Sequence, residues 1–392
     1  MAILGVRGTG EFTTDFRPTN YRELYTFLEP NGDAPLSALI AMMTSESTDD
    51  PKYNNFRDEL PDQVVTVNGA VADTSTGAVT LDANDDNQFI VAGTILVNAT
   101  TGEVMHATAD CTGTALTVTR NIGGTTHQIA DNAELFIAGY AAKEGADTPT
   151  PISFDATLAY NYTQIFRTAF SVTGTLANTN LRTGPKEDES RVKALKLHMS
   201  DMERAFFFGT RHIANASSAE PTRYTGGLIN SLTNVIDVTS DTAASTIMTE
   251  EEFDTKLIDD IFAYGSKEKI AFIGSTVAHH LNWFAKDRWS PQQVDGAYGI
   301  NFTRYTTPAG DLLAYLHPMF RQLPGMKESM LILDMQDICY RYMQNRDTQL
   351  LKDRQGNGED RRKHEFLTEC GLELKQDRTH TYVKNWTLRK AA

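Results

Sequence analysis

The sequence predicts an α+β fold arranged around one long helix, and three observations carry that reading. A Thr-, Val- and Gly-rich β segment runs into a well-marked helix between Thr183 and His212. From about Pro61 to Tyr140 the composition shifts to short alternating runs separated by turn residues. From Thr249 onward, capped helices alternate with short apolar strands.

The long helix is marked at both ends. Pro185 suits a first turn, Glu187, Asp188 and Glu189 crowd the positive end of the dipole, and Arg211 lies near the other end. Glu187 to Arg191 and Glu189 to Lys193 are i,i+4 pairs in the favourable order, each contributing roughly 0.2–0.5 kcal/mol on an exposed face. Val192, Leu195, Met199, Met202 and Phe206 recur at spacings of three and four, an apolar stripe that must lie on another element. At about 1.5 Å per residue the helix spans roughly 40 Å. It reads as a beam, or as the ordinary long core helix of an α+β enzyme.

Before the beam, residues 1–52 are irregular and interrupted by Gly and Pro; only Leu36 to Met43 has a helical pattern. A segment with so little core of its own becomes ordered by lying across this chain's body or a neighbour's, and we read it as an arm on a neighbour. Within 62–142, the runs Val64–Val71, Phe89–Val97, Glu103–Ala109, Ala115–Arg120 and Leu135–Tyr140 read as strands. Asn68-Gly69, Thr101-Gly102 and Gly123-Gly124 read as turns. They suggest a small barrel or sandwich, an inserted module or else the β half of a larger core. Tyr53–Leu60 and Tyr160–Phe170 read as the outgoing and returning strands of one long hairpin carrying it.

Beyond the beam, Thr249 and Glu252 form a capping box before Phe253, Leu257, Ile258, Ile261 and Phe262, and Gly265 stops that helix. Lys269–Ile273 reads as a buried strand, Ser275 as the cap of a helix through Phe284, and Leu312–Leu316 and Met330–Leu333 as further strands. Cys339–Met343, Phe366–Leu374 and Thr381–Leu388 return to alternation around the charged loop Lys352–His364.

Composition narrows the function classes. A chain of 392 residues with 40% hydrophobic content and mean hydropathy −0.36 is long enough for two or three cores. No eighteen apolar residues run together and the N-terminus has no apolar export core. Cys111, Cys339 and Cys370 are far apart without CxxC spacing, which favours free thiols over a disulfide framework or zinc site. A net charge of −15 argues against a general nucleic-acid binder, though not against a wall that encloses DNA.

No catalytic or cofactor-binding set emerges. The early GVRGTG follows no strand and opens no helix, and GxxxxGK[ST], HExxH and GxSxG do not occur. His279 and His280 are adjacent on a helix, which points their rings about 100° apart and disfavours a shared metal. Asp82, Asn84 and Asp86 resemble the start of a calcium loop, but the sixth position is Asn87 and the twelfth Gly93. Arg361, Arg362 and Lys363 stand beside Glu359 and Asp360, a pattern of a solvated turn or a subunit contact rather than a phosphate site.

The order arm, long hairpin, beam, α/β lobe and returning strands resembles the tailed-phage major capsid proteins. NYTQIF at Asn161–Phe166, VTGT at Val172–Thr175, KALKLHMSDMERAFFFGTR at Lys193–Arg211 and YTGGLI at Tyr224–Ile229 resemble the branch of the SU-ten-like major head proteins. The matches cover most of residues 150–390. The resemblance implies an N-terminal arm (1–52), an extended loop (53–170) bearing the β insertion, a spine helix with the first part of a peripheral domain (171–234), an axial domain (235–334), and the peripheral strands (335–392). It implies self-assembly as hexamers and pentamers into an icosahedral head enclosing double-stranded DNA, in the virion, assembled in the bacterial cytoplasm. Portal and decoration proteins are expected partners. The chain starts directly with the arm, so separate scaffolding, or none, is expected. Arg57, Asp58, Asn161, Tyr162, Gln164, Phe166, Arg361 and Arg362 join the helix stripe as assembly and packing residues. A phage tail or adhesion protein binding a host glycan through 62–142, and a hydrolase with an unrecognised site, are the rival readings.

Overall fold

Two compact units divide the chain, Phe56–Leu158 and the residues on either side of it. The computed structural model describes residues 40, 43–74, 77–83, 87–179, 184–238, 249–288, 292–294, 302–323 and 325–386. Most of the expected arm therefore lies outside the described residues. Within it, Ile40 is helical and buried, and Ser45–Thr48 forms strand β1. Strand β2 (Lys52–Arg57) leads into the first unit.

In that unit β3 (Val64–Thr66), β4 (Ala78–Thr80), β5 (Thr94–Asn98), β6 (Val104–Ala107), β7 (Ala115–Thr119) and β8 (Glu134–Tyr140) form an antiparallel sheet in the order β3-β8-β5-β6-β7-β4. Just beyond β3, Val67 bridges Leu81, just beyond β4. There Asn68 N–H donates to Thr80 O at 2.8 Å and Asp82 N–H to Thr66 O at 2.9 Å. The two edges meet, so the module is a closed barrel rather than a sandwich, and closure removes free edges. Alternation fills the interior: Val65, Leu96, Met105 and Leu135 have no exposed surface, and Leu116 and Val118 point the same way from β7.

Among the described residues, the hydrophobic core of the barrel draws only on residues 65–137. Excising 64–140 and bridging the ends with a short Gly/Ser linker is therefore expected to leave the rest of the chain soluble, with one cooperative transition by calorimetry. Insoluble protein would show that the barrel is part of a larger core.

The second unit contains β9 (Thr157–Tyr162, begun in the first unit), β10 (Gln164–Thr173), the long helix α1 (Lys186–Phe208), β11 (His212–Ala214), β12 (Thr222–Tyr224), β13 (Val235–Asp237), β14 (Glu268–Ile273), helix α2 (Ser275–Arg288), β15 (Gln292–Val294), β16 (Phe302–Thr306), β17 (Asp311–Leu316), β18 (Met330–Leu333), β19 (Ile338–Met343), β20 (Gln349–Leu351), β21 (Arg361–Leu374) and β22 (Thr381–Lys384). Strands β2 and β9 pair as a two-stranded ribbon. The expected single strand 160–170 breaks at Thr163, whose N–H donates to Pro51 O at 2.8 Å and whose Oγ1 donates to Glu369 Oε1 at 3.2 Å. Beyond that break β10 leaves the ribbon and pairs antiparallel with β21 along its whole length.

A five-stranded sheet (β1-β19-β21-β10, with β20 also on β21) lies against α1. A seven-stranded mixed sheet, β13-β22-β18-β14-β17-β16-β15, forms the lobe. The last strand, expected with the returning strands, instead sits in this lobe sheet, between β13 and β18. Alternation sends Phe272, Leu331 and Leu333 to one face, where they meet Phe206, Phe207 and Phe320. Ala271, Ile273, Met330 and Ile332 go to the other, against Phe253, Ile261 and Leu281. A sheet covered on both faces explains why β18 reads as an unbroken apolar run, MLIL.

The capping box is formed: Glu252 N–H donates to Thr249 Oγ1 at 3.2 Å and Thr249 N–H to Glu252 Oε2 at 3.0 Å. The helix it starts has a π segment, Phe253–Leu257, before Ile258–Phe262. Gly265 follows with φ +87°, a left-handed position that suits glycine. The charged loop expected at 352–364 is shorter, because Arg361, Arg362 and Lys363 already belong to β21, opposite Thr173, Val172 and Ser171.

Candidate functional site

Where the ribbon leaves the body, side chains from distant parts of the chain converge. Asn161 uses its whole amide there. Its Nδ2 donates to Leu372 O at 2.8 Å and Gly226 O at 3.1 Å, and its Oδ1 accepts from Gly226 N–H and Tyr162 N–H, both at 2.8 Å. Gln164 Oε1 accepts from Thr225 N–H at 3.1 Å. Tyr53 OH donates to Leu372 O at 2.9 Å and Asn55 Nδ2 to Leu374 O at 2.9 Å. The two glycines of the YTGGLI run have a steric reason at Gly227, since a Cβ there would meet Gly209 N at 2.5 Å. Two cations lie over the Tyr160 ring, Arg211 at 4.1 Å and Lys52 at 4.4 Å from its centroid. Tyr162 adds an edge contact to Tyr160 at 5.7 Å.

The helix stripe divides. Met202 and Phe206 are buried, with Phe206 edge-on to Phe166 at 6.4 Å. Met199 is half-buried. Val192 and Leu195 are exposed, contrary to the stripe read from spacing. In the first half of α1 the buried line runs instead through Ala194 and His198. His198 sits between Thr168 Oγ1 (3.0 Å from Nδ1) and Thr368 Oγ1 (2.8 Å from Nε2). Both threonines lie on the sheet face beneath the helix, so a polar clamp, invisible to an apolar count, sets the rotation of α1. Burial pushes the His198 pKa down. Of the two expected surface pairs, Glu189–Lys193 forms. Arg191 turns to Asp188 at 3.4 Å instead, because Glu187 reaches Arg362 at 3.5 Å and His364 at 3.2 Å. Arg361 makes a two-pronged pair with Glu359, at 2.7 and 2.8 Å.

On the other face of β21, Glu365, Glu369 and Glu373 form a row of nearly buried carboxylates at every fourth residue. Arg167 and Arg354 cover the first, Arg346 the second and Arg341 the third. The Arg167 guanidinium holds the Glu365 carboxyl below its usual range. Arg341 also reaches Glu46 of β1 at 2.5 Å. Pairing leaves this face charged but balanced. The strand pattern of β21 shows the glutamates; their arginines come from other strands and loops, so sequence spacing could not find them.

The chemistry available here is that of packing. Glu203 and His317 are 2.8 Å apart with no exposed side-chain surface, and His317 Nδ1 accepts from Met319 N–H at 3.1 Å. One ring nitrogen is thus committed to capping a short helix. Burial raises the thiol pKa of Cys111, Cys339 and Cys370, so none is a thiolate nucleophile at neutral pH. A cavity of about 230 Å³ lined by Ile40, Met199, Met202, Phe206, Tyr340 and Asp347 offers a single carboxyl, which already accepts from Tyr340 OH at 3.0 Å. His280 is buried and accepts from Trp386 Nε1 at 2.7 Å, whereas His279 is exposed. Of the calcium-like residues, Asn84 and Asp86 lie outside the described residues, and Asp82 O accepts from Asn87 Nδ2 at 2.7 Å. Arg57 ends β2, its carbonyl accepting from Thr157 Oγ1 at 3.3 Å, and Asp58 follows it exposed.

A family model described as SU10 major capsid protein matches residues 8–387. The chain belongs to that family. The capsid protein is 25% identical to the major capsid protein of Pseudomonas phage PaMx41 over 348 residues, 85% of this chain and 80% of that one. Its fold is similar to that of the cyanophage A-1(L) capsid, with a TM-score of 0.50 at 11% identity, covering 97% of this chain and 100% of that chain. The α+β architecture is thus the tailed-phage major capsid fold, and the function is structural, in the shell of a phage virion. The family decides against a tail or adhesion protein.

Proposed function

We propose that the chain assembles as hexamers and pentamers into an icosahedral head around double-stranded DNA, in the host cytoplasm, and catalyses no reaction. Portal and decoration proteins, with or without separate scaffolding, complete the partner set. Residues 1–52 act as the arm, 53–170 as the extended loop, 171–234 and 335–374 as spine and peripheral elements, and 235–334 together with β22 as the axial lobe. The observation that carries the reading is the apolar surface on the ribbon and in the segment just after β2. Phe56 and Leu60 are 75% and 87% exposed and Leu158 is 55% exposed. A two-stranded ribbon has no core to hide such side chains, and in a shell sister copies supply the cover. Val192 and Leu195 on α1 have the same character. A shell subunit meets several neighbours in different geometries, and many weak contacts sum to a stable particle. A chain with net charge −15 also leaves incoming duplex free to move along the wall.

Leu60→Asp and Val192→Asp test this. Both change exposed positions, so the isolated chain is expected to stay folded with stability within about 0.5 kcal/mol of wild type. Negative-stain microscopy is expected to show shells for wild type and unassembled protein for the variants. Normal shells from both variants would remove these surfaces from the assembly contacts.

A further inference from the structure

The acidity of this protein is concentrated in the barrel unit. Residues 56–158 contain 14 Asp and Glu against 3 Lys and Arg. One of those three, Arg120, is buried against Glu103. The barrel interior is filled by its own side chains, so any recognition by this unit takes place on its outside. There Val64, Phe136, Val97 and Val104 are successive cross-strand partners over four neighbouring strands. Ile122 extends the row, its N–H donating to Val104 O at 3.0 Å. Their neighbours Val65 and Leu135 point inward, so the row faces out. Val64, Phe136 and Ile122 are each more than two-fifths exposed. At about 4.8 Å between strands the apolar strip is roughly 15–20 Å long. Glu134, two residues before Phe136, shares its face.

We infer that this strip is the docking surface for a separate basic protein, one that presents apolar side chains within a rim of Lys and Arg. Pairing of this strip with the barrel of a second copy is opposed by the negative charge that both barrels carry. DNA and anionic membranes are repelled for the same reason. A basic partner is steered in by the carboxylates and held by the apolar strip. The inference rests on the assembly reading, with the barrel accessible on the finished shell.

The probe is the protein released when purified virions are washed in high salt with mild detergent. It is added back at low salt to shells of the wild-type chain, of Phe136→Ser and of Glu134→Lys. The expected result is a basic protein, identified by mass spectrometry, that saturates wild-type shells and binds each variant at least tenfold more weakly, with binding that falls as salt rises. Release of no basic protein, or equal binding to all three shells, overturns the docking surface. Microscopy of the same samples separates the two readings, because normal shells that ignore the released protein overturn this inference and leave assembly intact.

Discussion

Lys269→Met is expected to destabilise the larger unit by about 3–5 kcal/mol. Lys269 has no exposed surface. Its ammonium donates to Ile261 O, Tyr264 O and Thr379 O, each at 2.7 Å. Two of these carbonyls close the end of the capped helix, where the last turn lacks intrahelical donors and favours a cation. The third belongs to the loop before β22. One side chain therefore ties the helix, β14 and the final strand together. Methionine keeps the length and removes all three donors, leaving buried carbonyls unsatisfied. Urea unfolding measures the loss, and a change below about 1 kcal/mol would show that the carbonyls find other donors.

The pH dependence has a definite sign. Burial lowers the Lys269 pKa from 10.5 to about 8, against the opposing pull of Asp334 and Asp337. Between those values the unfolded chain keeps a proton that the folded chain has released, so this group's contribution to stability rises with pH across that window. The stability gap between wild type and Lys269→Met is expected to widen from pH 8 toward 10.5. A constant gap would mean that the amine titrates alike in both states.

What could be read from the sequence was set by local rules. The start of α1, the capping box at Thr249 and Glu252 and the alternation of the barrel strands depend on neighbours within a few residues, and the structure has them. The far end of α1 falls at Phe208, short of the expected His212, and Arg211 lies over the Tyr160 ring instead of in the last turn. What escaped depends on distant partners. Val192 and Leu195 fit a helical stripe, yet His198, bonded to Thr168 and Thr368, turns the helix so that they are exposed. The break at Thr163 comes from Pro51 and Glu369. The short β4, Ala78–Thr80, gave too few residues for a period and was not among the expected runs. Lys269 stood at the edge of an expected strand, and nothing in the strand pattern shows that three carbonyls surround it. Of the residues expected to serve assembly and packing, Asn161 and Gln164 came from the family resemblance alone, and the junction they form with the YTGGLI run, through Gly226 and Thr225, shows only in the structure.

Arg120→Leu is expected to unfold the barrel while the rest of the chain stays folded. Arg120 and Glu103 have almost no exposed side-chain surface and form a two-pronged pair, Nε to Oε1 at 2.9 Å and an outer nitrogen to Oε2 at 2.7 Å. Arg120 also donates to Ala72 O at 2.7 Å and to His127 O. His127 N–H donates to the same Glu103 carboxylate at 3.1 Å. The pair thus fixes the long connection between β7 and β8 over one end of the barrel. Arg120 holds the Glu103 carboxyl below its usual range against the opposing effect of burial. Removing the guanidinium leaves a buried negative charge without its cation, a loss of about 3–5 kcal/mol. For a module of this size that is comparable to its whole stability. Limited proteolysis is expected to cut within 56–158 and spare the remainder. The double variant Arg120→Leu with Glu103→Leu tests the cause, because it removes the stranded charge. It is expected to recover more than half of the lost protection, and failure to do so would place the effect in the carbonyl bonds to Ala72 and His127 instead of in the ion pair.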